Sequence, residues 1–464
     1  MGLLKLNEVV FDEDIYPRKN VSRKTVDGYA DAMKAGAKFP SIEVQRILDA
    51  GDEKIIIVDG WHRVEAYRMY NTFPDVEKVI DVEVVFYKDE VLDKQESLTD
   101  LRVVSIQRNL LHGDRLSNSD KQSFCQRMAD EDKTLKITET MFANIFGVSQ
   151  PAVNSWIKDI RARQKSTRES LIYKLSFEGW TQQEIADKVG LTDGRINHIL
   201  TNISSDKIKD EYRGGKSVED IAEYHGLEPI VVWSIILKDK TDDECFNEFF
   251  KEKEKGEQTA LQAFNVWTIG KRDPRLGNKH HMNIPGQIVM NLLYYFTEQG
   301  DLVVDPMAGG GSTIDACLVM NRGIRAYDLV PVREDVKQRD IYDGFDDRAK
   351  KAKLIFFDLP YGDMVVGNLS HEDFYKLVQV SAEKAYETLG EDGVVAYIMC
   401  DYTKGEYEPF IPESYNIFKN AGFKCIHRIS VPLSTQSANG NEVKLAREKK
   451  KLLGRDRVMF IFGK

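Results

Sequence analysis

From residue 264 onward short apolar runs alternate with amphipathic stretches, and no other feature constrains the fold of this chain as strongly. "DLVVDPMAGGGST" reads as a strand entering a glycine-rich turn, and "TIDACLVMN" as the helix after it. "GIRAYDL" and "KLIFFDLPYG" read as strands, "EDFYKLVQVSAEKAYETLG" as a helix with a glycine stop, and "GVVAYIMCD", "FKCIHRISVPL" and "RVMFIFGK" as further strands. Alternation of this kind predicts a doubly wound α/β sheet over 264–464.

The front of the chain has other rhythms. Residues 1–92 mix β-branched strands ("SIEVQRIL", "KIIIVDG", "DVEVVFYK") with helices ("RKTVDGYADAMKAG", "WHRVEAYRMY"), which predicts a small α+β domain. Residues 93–240 are helical. Within them one unit recurs: "TETMFANIFGVSQPAVNSWIKDI", "TQQEIADKVGLTDGRINHIL" and "SVEDIAEYHGLEPIVVWSIIL". Each has a helix, a glycine turn and a second helix, which is the spacing of a helix-turn-helix. The first falls in a helical segment 93–165 and the other two in 166–240. Gln150 and Asn154 in the first unit and Arg195 and Asn197 in the second are the candidates for DNA contact. The third shows Val231, Val232 and Trp233 where a reading helix would be polar, so it is expected to pack. The charged stretch 241–263 reads as a linker, helical at its start.

With 464 residues the chain is expected to form several domains. No apolar run approaches a membrane span, and the N-terminus lacks a secretory core. The five cysteines follow no CxxC or Cys/His spacing, so a reduced cytoplasmic protein without a metal site is expected. The net charge of −10 leaves room for local basic surfaces.

Ligands of open α/β sheets lie beyond the carboxyl ends of strands. Two such ends stand out. After Asp305, glycines 309, 310 and 311 allow close approach of a ligand, and the next helix offers free N–H groups. The following strand ends in Asp328, where an acid can accept both hydroxyls of a ribose. Isoleucine at 314 breaks the GxGxxG fingerprint, and no lysine follows the glycines as a phosphate loop requires. An acid at 305 repels a pyrophosphate and suits an ammonium, which points to S-adenosylmethionine. The other strand end is "DLPY". Asp358 and the Leu359 carbonyl can together hold the two protons of an exocyclic amino group, Pro360 can stiffen the loop, and Tyr361 can stack on a base flipped out of a duplex. The plain alternative for both is an ordinary turn.

These residues resemble the amino-methylating DNA methyltransferases. "DPMAGGGS", with Met307, Ala308 and Ser312 around the glycines, is similar to that family's cofactor motif. "DLPY" is similar to its Asp/Asn/Ser-Pro-Pro-Tyr catalytic motif, with Leu359 in place of the first proline. "NKHHMNIPGQIVMNLLYYF", including Pro285, resembles the segment that precedes the cofactor motif. Asp340 sits where the family contacts the cofactor adenine, and "DRVMFIFGK" resembles its last hairpin strand. The resemblance covers 264–464. It implies a Rossmann-like S-adenosylmethionine-dependent enzyme acting on double-stranded DNA. Asp358 favours adenine N6, cytosine N4 stays open, and RNA or protein amides use similar motifs.

"VDGWHRVEAYR" and "SIQRNLLHGDRLSNSDKQ" resemble the ParB partition proteins over roughly 1–165. That resemblance implies a nucleotide triphosphate, CTP or ATP, at Gly60, His62, Arg63, Gln107, Arg108 and Asn109. A basic loop at 439–457, with Lys444, Arg447, Lys449, Lys450 and Lys451, is a candidate for gripping phosphates. No nuclease motif is evident, so a solitary methylase of a phage or mobile element is expected, and pairing of its readers on two-fold DNA would suit a homodimer. The competing classes are a ParB-like regulator with a decayed methylase domain and a nucleotide-gated clamp.

Overall fold

The computed structural model describes residues 2–18, 21–111, 116–132, 135–251, 261–278, 283–359, 370–404, 406–433, 440–450 and 456–464. The chain divides into two compact units, 1–164 and 165–464.

The first unit begins with β1 (Gly2–Lys5), β2 (Val9–Val10), α1 (Arg23–Lys34), β3 (Ile42–Asp49), β4 (Asp52–Asp59), α2 (Trp61–Tyr70), β5 (Asp81–Phe86) and β6 (Leu92–Asp93). The strands form one sheet in the order β1-β5-β3-β4-β2, with β6 also on β3. Four helices follow: α3 (Lys94–Leu111), α4 (Asn118–Glu131), α5 (Glu139–Phe146) and α6 (Gln150–Phe177), and the division between units falls within α6. The Ser117 hydroxyl accepts the Asp120 N–H, and the Asp120 carboxylate accepts the Ser117 N–H. This reciprocal cap fixes where α4 starts.

The second unit opens with α7 (Gln182–Val189), α8 (Asp193–Asn202), α9 (Ser205–Arg213), α10 (Val218–His225), α11 (Pro229–Leu237) and α12 (Asp242–Phe249). The three expected helix-turn-helix units are α5–α6, α7–α8 and α10–α11. Their turn glycines 147, 190 and 226 have φ of +59°, +68° and +64°, the left-handed region in which a helix can stop and reverse. The third unit does pack: every residue of α11 from Ile230 to Leu237 is buried. Residues 242–249 are helical, as expected for the start of the 241–263 stretch, but they are packed and not a free linker. They form α12, and Cys245, Phe246 and Phe249 enter the main core, because the apolar residues fall on one face of an otherwise acidic helix.

The sheet is built from β7 (Leu302–Asp305), β8 (Gly323–Asp328), β9 (Lys337–Gln338), β10 (Ala352–Asp358), β11 (Leu389–Met399), β14 (Lys424–Ser430) and β15 (Val458–Gly463). A two-stranded ribbon, β12 (Tyr402–Lys404) and β13 (Glu406–Glu408), stands apart from it. Its helices are α13 (Gly286–Phe296), α14 (Ser312–Val319), α15 (His371–Thr388) and α16 (Phe410–Asn420), and α17 (Gly440–Glu448) precedes the last strand. The order is β14-β15-β11-β10-β7-β8-β9. Neighbours from β9 to β11 run parallel and β15 lies antiparallel between β11 and β14. Alternate residues serve opposite layers. Leu354 and Phe356 join the core of α11, α13 and α14, while Ile355 and Phe357 join that of α15 and α16. A strand buried on both faces reads as a continuous apolar run, which is why "LIFF" precedes Asp358. The chain leaves β7 toward β8 on one side and returns to β10 on the other, so the topological switch point lies between β7 and β10, where ligands of such sheets bind. Among the described residues no helix is long and apolar enough to cross a membrane.

Candidate active site

β7 and β10 are neighbours in register, with Val304 opposite Ile355, so Asp305 and Asp358 both emerge at the carboxyl edge of the switch point. Asp305 is 4% exposed. It accepts the Met307 N–H at 3.0 Å and the Thr313 hydroxyl. Burial still pushes its pKa up to about 7, and the charges of Asp358 and Asp328 add to the rise. Loss of hydration pushes Asp358 up to about 6, against the pull of the Arg457 guanidinium. Two carboxylates held high by burial form a site that favours a bound cation. Arg457, read from the sequence as part of a basic loop, therefore acts on Asp358 through its charge. Its backbone carbonyl accepts the Val431 N–H and its Nε donates to the Val431 carbonyl.

The glycine loop leaves β7 and starts α14. Ala308 N–H donates to the Tyr327 carbonyl (2.9 Å), Gly309 N–H to Asp328 Oδ2 (2.9 Å) and Gly310 N–H to Asn283 Oδ1 (2.9 Å). The three glycines differ in purpose. A Cβ on Gly310 would lie 2.2 Å from Asn278 Oδ1 and 2.3 Å from Asn283, and one on Gly311 would lie 2.2 Å from Arg333. At those two positions the space a side chain would need is taken by the protein itself. A Cβ on Gly309 would have no neighbour nearer than 3.8 Å, and this is the open side of the loop. Ser312 begins α14, and among the described residues its buried hydroxyl has no hydrogen-bond partner. Asp328 ends β8, and its second oxygen accepts the Val330 N–H at 3.0 Å.

S-adenosylmethionine fits these residues. Asp305 and Asp358 suit its positive charges, Gly309 leaves room beside the loop, Asp328 can exchange backbone partners for ribose hydroxyls, and the buried Ser312 hydroxyl, without a partner among the described residues, can bond to it. Pro285 caps α13, which packs on α14. Asp340 caps a 3₁₀ turn, Ile341–Asp343, through the Tyr342 N–H. Met307 is half-buried against the core of α15 and α16. Leu359 is 1% exposed in that same core, so leucine at the family's first proline position packs the strand end in place. Pro360, Tyr361 and Lys451 lie outside the described residues.

In the first unit Gly60 starts α2 with φ +106°, and the buried His62 accepts the Ser22 N–H on Nε2. Arg63 donates to Asp59 (2.7 Å) and to the Pro40 and Ser41 carbonyls, and Arg108 grips both oxygens of Glu43. Glu43 and Asp59 are direct cross-strand partners, so the two arginines converge on one pair of acids. Asn109 is buried between the Tyr16 hydroxyl and the Ser105 carbonyl, and Gln107 is exposed.

Gln150 and Asn154 are exposed at the start of α6, and Arg195 and Asn197 are exposed on α8. The second helix-turn-helix is anchored to the sheet. Arg348 pairs with Glu184 of α7 and lies 5.5 Å over the Trp180 ring, and Arg325 of β8 donates to the Glu178 carbonyl. Part of the expected basic loop is helical: Lys444 and Arg447 lie exposed on α17, and Lys449 and Lys450 follow it, also exposed.

Asn278, Asn283 and Arg333 were missed by sequence reasoning, and Arg457 was read only as one of several basic loop residues. The two asparagines flank the quoted "NKHHMN" segment, but nothing local marks a polar side chain that will reach a loop from 27 residues away.

A sequence model of a family described as DNA methylase matches residues 114–329. The match takes in Asp305, the glycine loop and Asp328 and ends before Asp358. A comparison with curated proteins finds no match. Among solved structures the chain is similar to a TehB-like SAM-dependent methyltransferase from Corynebacterium glutamicum ATCC 13032 Kitasato, at 14% identity over 39% of this chain and 89% of that one, with a TM-score of 0.26. It is similar to 1,6-didemethyltoxoflavin-N1-methyltransferase from Burkholderia thailandensis, at 16% identity over 38% and 75% of the two chains, with a TM-score of 0.26. It is also similar to the C-terminally truncated chromosome-partitioning protein ParB from Caulobacter crescentus, at 15% identity over 48% and 98%, with a TM-score of 0.23. Over residues 114–329 the sequence is thus similar to the DNA methylases.

Proposed function

We propose that this protein transfers a methyl group from S-adenosylmethionine to the exocyclic amino group of a base flipped out of double-stranded DNA, with adenine N6 favoured over cytosine N4. One observation carries the reading: Asp305 with the open side of Gly309, and Asp358 with Leu359, meet at the switch point between β7 and β10. S-adenosylmethionine, when bound, supplies the methyl group on a sulfonium. Asp358 accepts a hydrogen bond from one amino proton and the Leu359 carbonyl accepts one from the other. That hold draws the nitrogen lone pair out of the ring and toward the incoming carbon. Tyr361 stacks on the base. As the new N–C bond forms the nitrogen becomes positive, and Asp358 stabilises it and receives the surplus proton before releasing it to water.

Asp358 must be ionised for this role, so activity falls as pH drops through about 6. Arg457 lowers the Asp358 pKa. The Arg457→Gln variant removes that cation, the pKa rises, and the acid limb of kcat/KM moves to higher pH. An unmoved limb, or one shifted to lower pH, contradicts the assignment.

The exposed face of α8, whose partner helix α7 is held through Arg348, is the element we assign to reading the target. Arg195→Ala is expected to weaken DNA binding by about 1–3 kcal/mol with relaxed sequence preference if it touches a base, or to reduce the salt slope by about one if it touches phosphate. Fluorescence anisotropy at several salt concentrations measures both, and an unchanged affinity and slope removes Arg195 from the interface.

A triphosphate at Gly60–Arg63 and Gln107–Asn109 is a second reading, favoured by the convergence of Arg63 and Arg108. It requires Asp59 and Glu43 to release both arginines.

A further inference from the structure

We infer that Arg333 is a positioning residue that holds the glycine loop in its cofactor-binding shape, an inference that rests on reading that loop as the S-adenosylmethionine site. Arg333 lies beyond β8, after the "DLVPV" turn. Its Nη1 donates to the carbonyls of Gly310 (3.2 Å) and Gly311 (3.3 Å) and to Asp315 Oδ2 (3.1 Å). Its Nη2 donates to Asp315 Oδ1 (3.1 Å) and Asp335 Oδ2 (2.5 Å), and its Nε to Asp335 Oδ1 (2.8 Å). One planar guanidinium thus ties two consecutive loop carbonyls to the first turn of α14 and to its own segment.

The loop is held from both sides. Its N–H groups at 309 and 310 are fixed by Asp328 and Asn283, and its carbonyls at 310 and 311 by Arg333. Gly311 has φ +79°, and a Cβ there would meet Arg333 at 2.2 Å, so loop and guanidinium fit only as a pair. Asp315 also accepts the Gly277 N–H at 2.7 Å, which links the same fork to the segment whose Asn278 and Asn283 cover the loop. Lys174 of α6 sits 3.9 Å from Asp335 and bonds Glu228 at 2.6 Å, so Asp335 keeps a second cation when Arg333 is changed, while Asp315 keeps the Gly277 N–H. Arg333 acts through the loop backbone, at the carbonyls of Gly310 and Gly311. Lysine at this position keeps the charge but has no fork to span the two carbonyls and both acids.

Arg333 also lines a cavity of about 550 Å³ together with Lys174, Glu228 and Trp233. Water can enter a space of that size and take over a lost hydrogen bond, so a shorter side chain there is solvated and the core need not collapse.

The test is titration calorimetry of the full chain with S-adenosylmethionine, DNA binding by anisotropy without cofactor, and a thermal melt, for wild type, Arg333→Lys and Arg333→Met. A misplaced loop is expected to lower S-adenosylmethionine affinity about 10- to 100-fold in both variants. In Arg333→Lys the DNA affinity should stay within about twofold of wild type and the melt should stay cooperative, a separation that general destabilisation does not produce. S-adenosylmethionine affinity within twofold of wild type in Arg333→Lys overturns the inference and leaves the site assignment standing. A parallel fall of DNA and cofactor affinity in Arg333→Lys, with a broadened melt, assigns Arg333 a purely structural role and also overturns it. A wild-type chain that binds DNA but no S-adenosylmethionine overturns the reading of the loop, and this inference with it.

Discussion

Asp358→Asn is expected to slow methyl transfer about a thousandfold, with S-adenosylmethionine affinity changed only a few-fold. The carboxylate sits at the end of β10, where burial raises its pKa to about 6, so it is ionised and ready to accept at neutral pH. Asparagine keeps the shape but loses the charge, and turns an N–H₂ toward a group that also donates. The interaction lost is one that strengthens as the amino nitrogen becomes positive, so the loss falls on turnover; single groups of this kind are worth about 10²–10³ in rate. Removing one of two neighbouring acids also relieves Asp305, whose pKa Asp358 helps to raise, so Asp305 stays charged to lower pH and cofactor binding persists. Single-turnover rates with labelled methyl groups, beside calorimetric cofactor affinities, separate the two effects. A variant that keeps more than about a tenth of wild-type turnover would contradict the role.

The second large effect is on stability. Arg322 is fully buried, and its guanidinium donates to both oxygens of Asp242, to the Thr297 hydroxyl and carbonyl, and to the Met320 and Leu293 carbonyls. It joins α12 to α13 and to the turn before β8. Arg322→Ala removes those donors and leaves Asp242 without its cation, with the Gln299 amide as its remaining side-chain donor. Breaking a buried pair from one side costs about 3–5 kcal/mol. The side chain of Asp242 is 23% exposed, so water takes up part of the loss and the lower end of that range is expected. Urea unfolding followed through the tryptophans measures it, and a change below about 1 kcal/mol would show that α12 is held by its apolar face alone.

The sheet was legible because strands buried on both faces and separated by helices leave continuous apolar runs in the chain, as in "LIFF" and "VVAYIM". Asp305 and Asp358 were legible for the same reason, since an acid directly after such a run marks a strand's carboxyl end. The packing of α11 could be read from Val231, Val232 and Trp233. What stayed hidden depends on residues far apart in sequence. Gly310 and Gly311 look identical to Gly309, and only Asn278, Asn283 and Arg333 folding over them distinguish the three positions. Arg457 looked like one of several basic loop residues, and only the fold, with β15 paired to β11 and β14, brings its charge within reach of Asp358. Helix α12 reads as a charged linker because its acids dominate the composition, while Cys245, Phe246 and Phe249 share one buried face. Leu359 looked like a departure from a motif, and its burial shows a packing reason for it.

Nucleoside mass spectrometry of unmethylated DNA incubated with the protein and S-adenosylmethionine, beside an Asp358→Ala control, tests the central claim most directly. N6-methyladenine in the wild-type reaction and none in the control is the predicted result. N4-methylcytosine with the same control would keep Asp358 and change the base. No methyl mark on DNA of varied sequence, from a chain shown to bind both DNA and cofactor, would contradict the account.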